Sequence, residues 1–325
     1  MNPLDLSVVL PVYNMAPYLR QCLDSLAKQD RPFKEIIAVD DGSTDESPAI
    51  LAEYAANRLP TLNIIRQDNG GHSVARNTGM AAATGRWVYF MDSDDFLEPD
   101  ALSQLASVAE HDHLDIALCN ARYHYEGRKH DHPIHSIAYE TTIEPGKDWV
   151  RNRLRQGFFP HMVWMHLYRR EFLLEHNFRF IPGQVHEDVI WTNQVMLAAQ
   201  KVRYVDGILY NYRIRQMRSG ADLVWRSREY VIPCSVRNTQ EISGMADALS
   251  DDKELEKLMR GQAFSSGNAV IHLIEKLPEK GQRAFHIRKL KNEGFFSLMR
   301  HNATTISQHR KLLRIQLKFL CDQWF

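Results

Sequence analysis

Residues 35–54 read EIIAVDDGSTDESPAILAEY and pass from an apolar run, through an acidic turn, into a stretch of helical pattern. The run at 35–39 is short and rich in branched apolar residues, as are strands buried on both faces of a sheet. Pro48 lies where the first turn of a helix accepts a proline. These residues therefore predict a strand followed by a helix, the repeating unit of an α/β fold.

The same alternation continues on both sides of this unit. Strands and helices at this spacing predict an open, Rossmann-like α/β sheet with right-handed crossovers and helices on both faces. We predict strands at residues 6–11, 63–66, 87–91 and 115–125, and helices at residues 18–28, 73–83 and 100–110.

The second half of the chain changes character. Residues 148–155 and 187–199 have helical periodicity and residues 202–214 have strand character. Residues 126–144 contain three His and one Pro and little periodicity, and we expect a long surface loop there. From residue 221 onward the pattern is mainly helical. The sequence thus predicts an α/β domain over residues 1–220 and a smaller helical region over residues 221–325.

Composition, hydropathy and cysteine spacing indicate which partners and which cellular location to expect. Lys and Arg total 40, as do Asp and Glu, so net charge gives no reason to expect a nucleic-acid partner. The first residues lack the pattern of a secretory signal, and no apolar run reaches the roughly 18–20 residues of a membrane-spanning helix. We therefore expect a cytoplasmic protein. The four cysteines are far apart, without the spacing of a zinc site or a disulfide framework: Cys22, Cys119, Cys234 and Cys321.

Three polar clusters follow predicted strands, at residues 11–14 (PVYN), 40–45 (DDGSTD) and 92–95 (DSDD). Ligands of open α/β sheets bind outside the carboxyl ends of the strands, where we expect these clusters to meet. Each cluster alone could consist of helix caps. Crowded carboxylates, however, repel one another unless a cation compensates, and Mg²⁺ or Mn²⁺ favours such oxygens together with substrate phosphates.

With the segment GHSVARNTG at residues 71–79, these clusters resemble a known family. In order and spacing they are similar to the motifs of family 2 glycosyltransferases of the GT-A fold, the fold of nucleotide-diphospho-sugar transferases. The resemblance covers about residues 6–215. It implies an enzyme that moves a sugar from a UDP-sugar donor to a hydroxyl group, with Mn²⁺ or Mg²⁺ as cofactor.

The resemblance implies a pocket for the nucleotide base. Pro11, Tyr13 and Asp41 match positions that form this pocket in the family, with Asp41 accepting a hydrogen bond from a uracil-type N–H. Tyr13 could instead be a packed core aromatic. Asn77, nearby in the sequence motif, could merely brace a loop.

A second group matches the metal and diphosphate site of the family. Arg76 stands where the family has a positive group close to the acidic motif. Asp92 and Ser93 begin that motif, and Asp92 resembles the residue that contacts the ribose or the water shell of the metal. Asp94 resembles the direct metal ligand. The metal would neutralise charge on the departing diphosphate.

An inverting transfer also needs a base to remove the proton of the acceptor hydroxyl. His186-Glu187-Asp188 resembles the family motif in which the aspartate is that base, so we assign Asp188 to this role and keep Glu187 as the alternative. Two acids at the start of a helix could also simply complement its dipole. Trp164 lies in a segment similar to one beside donor and acceptor in the family, where it could be a sugar platform or a core residue.

The sequence departs from the family pattern after the last predicted strand. Related enzymes often carry a histidine there that completes the metal shell or touches the diphosphate, whereas residues 212–218 read YRIRQMR. Arginine cannot bind a cation but pairs well with phosphate. We therefore expect Asp94, diphosphate oxygens and water to hold the metal, and Arg215 or Arg218 to pair with the phosphates.

The C-terminal residues combine basic and apolar side chains. Such a helix can lie on an anionic membrane surface or can pack on the catalytic domain. Membrane contact would suit a lipid-linked acceptor, and the pattern resembles bacterial enzymes that add sugars, including a uronic acid, to the lipopolysaccharide core. The apolar residues that alternate with Lys and Arg in this tail are Leu312, Leu313, Ile315, Leu317, Phe319, Leu320 and Trp324.

Two other functions share part of this pattern. A sugar nucleotidyltransferase would need a glycine-rich loop after the first strand to hold a triphosphate, and PVYNMAPY at residues 11–18 has no glycine. A non-catalytic UDP-sugar-binding protein would keep the nucleotide pocket and lose the base, yet Glu187 and Asp188 are both present. We therefore expect an inverting glycosyltransferase with a glycan or lipid-linked acceptor.

Overall fold

The structure, a computed structural model, describes residues 2–126, 132–135, 140–215 and 228–321. The chain divides into two compact units. The first consists of Met1–Trp149 with His161–Met217, and the second of Val150–Pro160 with Arg218–Phe325. Residues 150–160, which the sequence analysis placed in the α/β domain, thus belong with the second unit.

The first unit alternates strands with helices as the sequence predicts. Its first part contains β1 (Leu4–Val12), α1 (Ala16–Ala27), β2 (Phe33–Asp40), α2 (Ser47–Asn57), β3 (Leu62–Arg66), α3 (His72–Ala82), β4 (Trp87–Phe90), β5 (Phe96–Leu97) and α4 (Ala101–His111). Its later elements are β6 (Ile116–Tyr125), β7 (His132–Pro133), α5 (Gly146–Arg155), β8 (His166–Arg169), α6 (Arg170–Glu175), α7 (Glu187–Ala198) and β9 (Val202–Ile214), with α5 continuing into the second unit.

The strands form one mixed sheet in the order β3-β2-β1-β4-β8-β6-β9-β5, and β7 pairs with β6. The four strands at one side, β3, β2, β1 and β4, are parallel. Strand β8 runs antiparallel between β4 and β6. Strand β8 was not predicted, because four residues are too few to show a period and their pairing depends on distant strands.

The core of the first unit surrounds β1, whose residues Val8, Leu10 and Val12 are fully buried. Helix α3 lies close against this strand because Gly79 has no side chain. A Cβ atom on Gly79 would stand 2.4 Å from Cγ1 of Val9. This close approach sets the position of α3, which carries Arg76 one turn earlier.

The second unit is helical in its described part, as the sequence predicts. It contains α8 (Arg228–Asp247), α9 (Lys253–Glu275), α10 (Lys280–Asn292), α11 (Phe295–Asn302) and α12 (Ile306–Cys321). Helix α12 packs Leu312, Ile315 and Phe319 on the core that these helices share. Within the residues that the structure describes, no helix is long and apolar enough to span a membrane.

Candidate active site

The three polar clusters meet at one edge of the sheet, as predicted. In the parallel register Val12 is paired with Asp40, and Val9 with Phe90, so β1, β2 and β4 end side by side. The first two clusters are bonded directly: the side-chain oxygen of Asn14 accepts a hydrogen bond of 2.8 Å from the Thr44 amide. Parallel pairing therefore gathers the candidate site from segments that are far apart in the sequence.

Asp41 holds the glycine loop that precedes α3. Its Oδ1 accepts hydrogen bonds from Gln67 Nε2 at 2.7 Å and from the Gly70 amide at 2.9 Å, and its Oδ2 accepts one from the Gly71 amide at 2.8 Å. Gly42 follows it at φ +77°, a conformation that few other residues adopt. Three donors use most of the four acceptor positions of a carboxylate, so about one remains for a bound base.

Arg76 connects the acidic motif to the segment that contains the predicted general base, Asp188. Its Nη2 donates to Asp92 Oδ1 at 2.7 Å, and its Nη1 donates to Glu187. The guanidinium is only 3% exposed. Burial alone would lower the pKa of Arg76, but the charges of Asp92 and Glu187 raise it above its ordinary value. One buried cation thus brings together α3, the loop after β4 and the start of α7.

Asp188 lies beside this ion pair in the first turn of α7. Burial, followed by the charge of Glu187, raises the pKa of Asp188 from 3.8 to about 7, against the opposing charge of Arg76. A carboxyl group with a pKa near neutral pH can accept and release a proton there, as a general base must. Because Glu187 is occupied with Arg76, Asp188 is the better placed of the two for proton transfer.

Asp94 is paired with Arg215, whose Nε lies 3.0 Å from Asp94 Oδ2. Burial raises the pKa of Asp94, and the Arg215 charge opposes that rise. From the sequence we predicted that Asp94 binds the metal and that Arg215 or Arg218 pairs with the phosphates. Asp94 and Arg215 lie together in the structure, whereas Arg218 lies outside the described residues.

The acidic loop offers two carboxylates to a divalent metal, those of Asp92 and Asp94. Among the described residues, no three His, Cys, Asp or Glu side chains are arranged to hold a metal ion. Two carboxylates on one loop, Asp92 and Asp94, nevertheless fit Mg²⁺ or Mn²⁺, because such ions are commonly held by one or two carboxylates together with substrate phosphates and water. The site therefore fits a metal that binds together with a diphosphate.

Asp95, the last acid of the motif, has a structural role that sequence analysis did not assign. It is fully buried and accepts hydrogen bonds from Tyr210 Oη at 2.6 Å and from the Arg213 amide at 2.7 Å. Burial and the neighbouring charges of Asp94 and Asp92 raise the pKa of Asp95 well above its ordinary value. Asp95 thus fastens the acidic loop to β9.

Arg213 completes this attachment. Its guanidinium donates to the Asp94 carbonyl at 2.8 Å, to Gln21 Oε1 at 2.6 Å and to Glu126 Oε1 at 2.8 Å. It also lies over the ring of Tyr18, 5.2 Å from the centroid. The sequence offered one signal, a charged residue inside a predicted strand, but not its partners.

Trp164 belongs to the core. Its ring stacks on Tyr210 with centroids 4.2 Å apart and on Tyr212 with centroids 5.5 Å apart. The residue is buried, which favours the core alternative over a sugar platform. Of the neighbouring histidines, His166 is fully buried and His161 is half-buried. Burial lowers the pKa of His161 to about 4 and that of His166 to about 3.

The remaining candidates differ in how well the structure defines them. Pro11 lies buried near the end of β1, and Tyr13 is half-buried just beyond it. Ser93 is buried within the acidic loop. Asn77 exchanges two hydrogen bonds with the backbone of Phe180, at 2.8 and 2.9 Å. It therefore braces the loop that carries Phe180, between α6 and α7, in agreement with the bracing role considered from the sequence.

Comparison with known proteins decides the family. Residues 7–176 match the family described as Glycosyl transferase family 2. The chain is a family 2 glycosyltransferase. The enzyme is 32% identical over 311 residues to the uncharacterized glycosyltransferase YibD of Escherichia coli (strain K12), covering 93% of this chain and 88% of that protein.

A second relative and one solved structure agree with this. The enzyme is 34% identical over 208 residues to the uncharacterized glycosyltransferase EpsJ of Bacillus subtilis (strain 168), covering 64% of this chain and 60% of that protein. The structure of S. aureus TarS 1–349 in complex with UDP has a TM-score of 0.71 and 24% identity, covering 98% of this chain and 88% of that chain. The fold is GT-A, as the motifs predicted.

Membership of the family establishes the class of reaction. The enzyme transfers a sugar from a nucleotide-sugar donor. Neither alternative from the sequence analysis, nucleotidyl transfer or binding without catalysis, is favoured by these matches. The family match stops at residue 176, before the first residue of α8.

Proposed function

We propose that the enzyme is an inverting transferase that moves a sugar from a UDP-sugar to a hydroxyl of a glycan or lipid-linked acceptor. The observation that carries this proposal is the joint contact of Arg76 with Asp92 and Glu187, because it brings the acidic loop to the residue next to Asp188. A carboxyl of raised pKa beside the donor motif has the position and acidity that an acceptor base requires.

In the proposed reaction the acceptor oxygen attacks the anomeric carbon from the side opposite the diphosphate. Its proton passes to a carboxylate oxygen of Asp188 as the new carbon–oxygen bond forms. The bond from the anomeric carbon to the diphosphate breaks, and its electron pair leaves with UDP. Arg215, which pairs with Asp94 at 3.0 Å and remains partly exposed, can turn toward the negative phosphate oxygens.

Asp94, together with Asp92, would hold Mn²⁺ or Mg²⁺. When bound, the metal acts as a Lewis acid that stabilises charge on the leaving diphosphate. The half-buried position of Asp94 supports this assignment, because a nearby cation offsets the cost of removing a carboxylate from water. Arg76 holds Asp92 and thereby fixes one end of the loop.

A uridine nucleotide is supported by the TarS complex with UDP, which shares the fold. Pro11, Tyr13 and Asp41 would form the base pocket, with a free acceptor position of Asp41 receiving the uracil N–H. For the acceptor we propose a cell-envelope glycan such as lipopolysaccharide core, reached at the cytoplasmic face of the membrane. The basic C-terminal residues support an acceptor embedded in an anionic surface.

The experiment that tests the proposal is a thermal-shift and calorimetric screen of UDP-, GDP- and dTDP-sugars, each with Mn²⁺, with Mg²⁺ and with EDTA. We expect a uridine nucleotide to raise the melting temperature only when metal is present. A dTDP- or GDP-sugar that binds in preference to every UDP-sugar would overturn the donor assignment. Equal binding in EDTA would overturn the metal assignment. Product analysis by NMR then shows whether the anomeric configuration is inverted.

A further inference from the structure

Helix α12 has two apolar faces, and only one of them is covered. Leu312, Ile315 and Phe319 pack on the core of the helical unit. Ile306, Leu313 and Leu317 lie on the opposite side, with exposed fractions of 72%, 56% and 51%. Their spacing of seven and four residues places these three side chains in one stripe along the helix. We call Ile306, Leu313 and Leu317 the outer stripe.

Basic side chains accompany the outer stripe. Arg310, Lys311 and Arg314 are exposed on the same helix, which contains no Asp or Glu. Among the described residues, no carboxylate pairs with these three cations, whereas Lys318 further along is paired with Glu275 at 2.6 Å. At the 100° rotation per residue of a helix, Arg310 and Arg314 flank the outer stripe on one side.

The cations beside the outer stripe indicate which kind of surface binds there. A second apolar protein surface would cover the outer stripe but leave the neighbouring cations without partners. An anionic lipid surface satisfies both, because leucine side chains enter the boundary between headgroups and acyl chains while arginines contact the phosphates. Long basic side chains can keep their charge at headgroup level while their stems follow the apolar surface.

We propose that the outer stripe and its cations form a docking surface for the anionic headgroups and outer acyl region of a lipid bilayer. The surface lies entirely within α12. It depends on neither the UDP pocket nor Asp188, so docking can fail while the proposed transfer from a UDP-sugar holds, and the reverse. Docking of this kind would bring the enzyme to acceptors carried on lipid.

The test is sedimentation of the full chain with vesicles. The probe is phosphatidylcholine vesicles with about one third phosphatidylglycerol, compared with pure phosphatidylcholine, at about 0.1 M and about 1 M salt. We expect binding only to the anionic vesicles at low salt. Leu313→Gln/Leu317→Gln and Arg310→Gln/Arg314→Gln should each weaken binding by about tenfold.

Matched controls distinguish binding through this surface from nonspecific hydrophobic or electrostatic binding to vesicles. Leu174→Gln removes an exposed leucine of α6, and Lys28→Gln/Lys257→Gln removes two exposed cations elsewhere. Both controls should bind vesicles as the natural chain does. Melting temperatures of all variants should match, because the changed side chains are exposed.

Three results would overturn the proposal. The first is failure of the natural chain to bind anionic vesicles. The second is equal loss of binding in the control variants. The third is a dimer, measured by light scattering, that Leu313→Gln/Leu317→Gln dissociates without changing vesicle binding, since the outer stripe would then join two copies of the chain.

Discussion

Arg76 donates a hydrogen bond of 2.7 Å to Asp92 from a position that water scarcely reaches. The same guanidinium contacts Glu187, so the two acids share one cation. Asp92 belongs to the acidic motif and Glu187 adjoins the proposed base. A single buried side chain therefore links these two segments.

Arg76→Lys tests that link. Lysine keeps the charge but lacks the planar fork that reaches two carboxylates, so one acid would lose its partner. We expect a loss of about 3 kcal/mol in the free energy of unfolding and a fall in transfer rate, measured by urea unfolding and a coupled UDP-release assay. Arg20→Lys, in an exposed arginine–glutamate pair, should have little effect. Full activity and stability in Arg76→Lys would contradict the bridging role.

Asp94→Ala tests the metal assignment. Removal of the proposed direct ligand should weaken Mn²⁺-dependent UDP binding by about a hundredfold, measured by calorimetry. The control is Asp206→Ala, which removes an exposed acid on β9 and should bind UDP normally. If Asp94→Ala binds UDP with the same affinity with and without Mn²⁺ as the natural enzyme, another group holds the metal.

Asp188→Asn tests the base. Asparagine keeps the shape of the side chain but cannot accept the proton, so transfer should fall by about a hundredfold to ten-thousandfold while the Kd of UDP stays unchanged. In the natural enzyme the base works as a carboxylate, and its pKa of about 7 predicts that kcat/KM falls as pH drops below about 7. Near-normal turnover by Asp188→Asn would move the base to Glu187.

The same substitution should change stability in a pH-dependent way. The pKa of Asp188 rises from 3.8 to about 7 on folding, so between these values the folded state keeps a proton that the unfolded state has lost. Stability therefore decreases as pH rises through this window, and the cost persists above it. We expect ligand-free Asp188→Asn to melt above the natural enzyme at pH 8 and to lose this advantage near pH 4. Equal melting curves at pH 8 would show that the charged carboxylate is not disfavoured, and Asp206→Asn should show no such difference.

Arg213→Lys tests the attachment of the acidic loop to β9. A lysine cannot donate to the Asp94 carbonyl, Gln21 and Glu126 at once from the same position. We expect a loss of about 3 kcal/mol in unfolding free energy and weaker Mn²⁺-dependent UDP binding. Arg203→Lys near the other end of β9 should leave UDP binding unchanged. Unchanged UDP affinity in Arg213→Lys would limit this residue to a role in stability.

Much of the fold follows from local sequence. Buried runs such as residues 36–39 predict strands because both faces of a central parallel strand are covered, and the apolar face of 18–28 predicts a helix. The four motifs indicate the family because they resemble its motifs in order and spacing. The sequence also predicted the shared edge, since parallel strands joined by helices must end on the same side.

Other features required the tertiary structure. Strand β8 is too short to show a pattern, and the role of Trp164 was undecided until its ring was seen stacked on Tyr210. The tail showed apolar and basic residues together, but only packing separates the covered face of α12 from the outer stripe.

The acidic motif at residues 92–95 shows most clearly what could be predicted from the sequence and what required the tertiary structure. The sequence predicted a metal and diphosphate site at residues 92–95, because crowded carboxylates favour a cation and the motif resembles that of family 2 glycosyltransferases. It could not show that Arg76 contacts Glu187, 111 residues away, or that Asp95 binds Tyr210, 115 residues away. Such contacts depend on burial and on elements packed from distant parts of the chain, which no local spacing encodes.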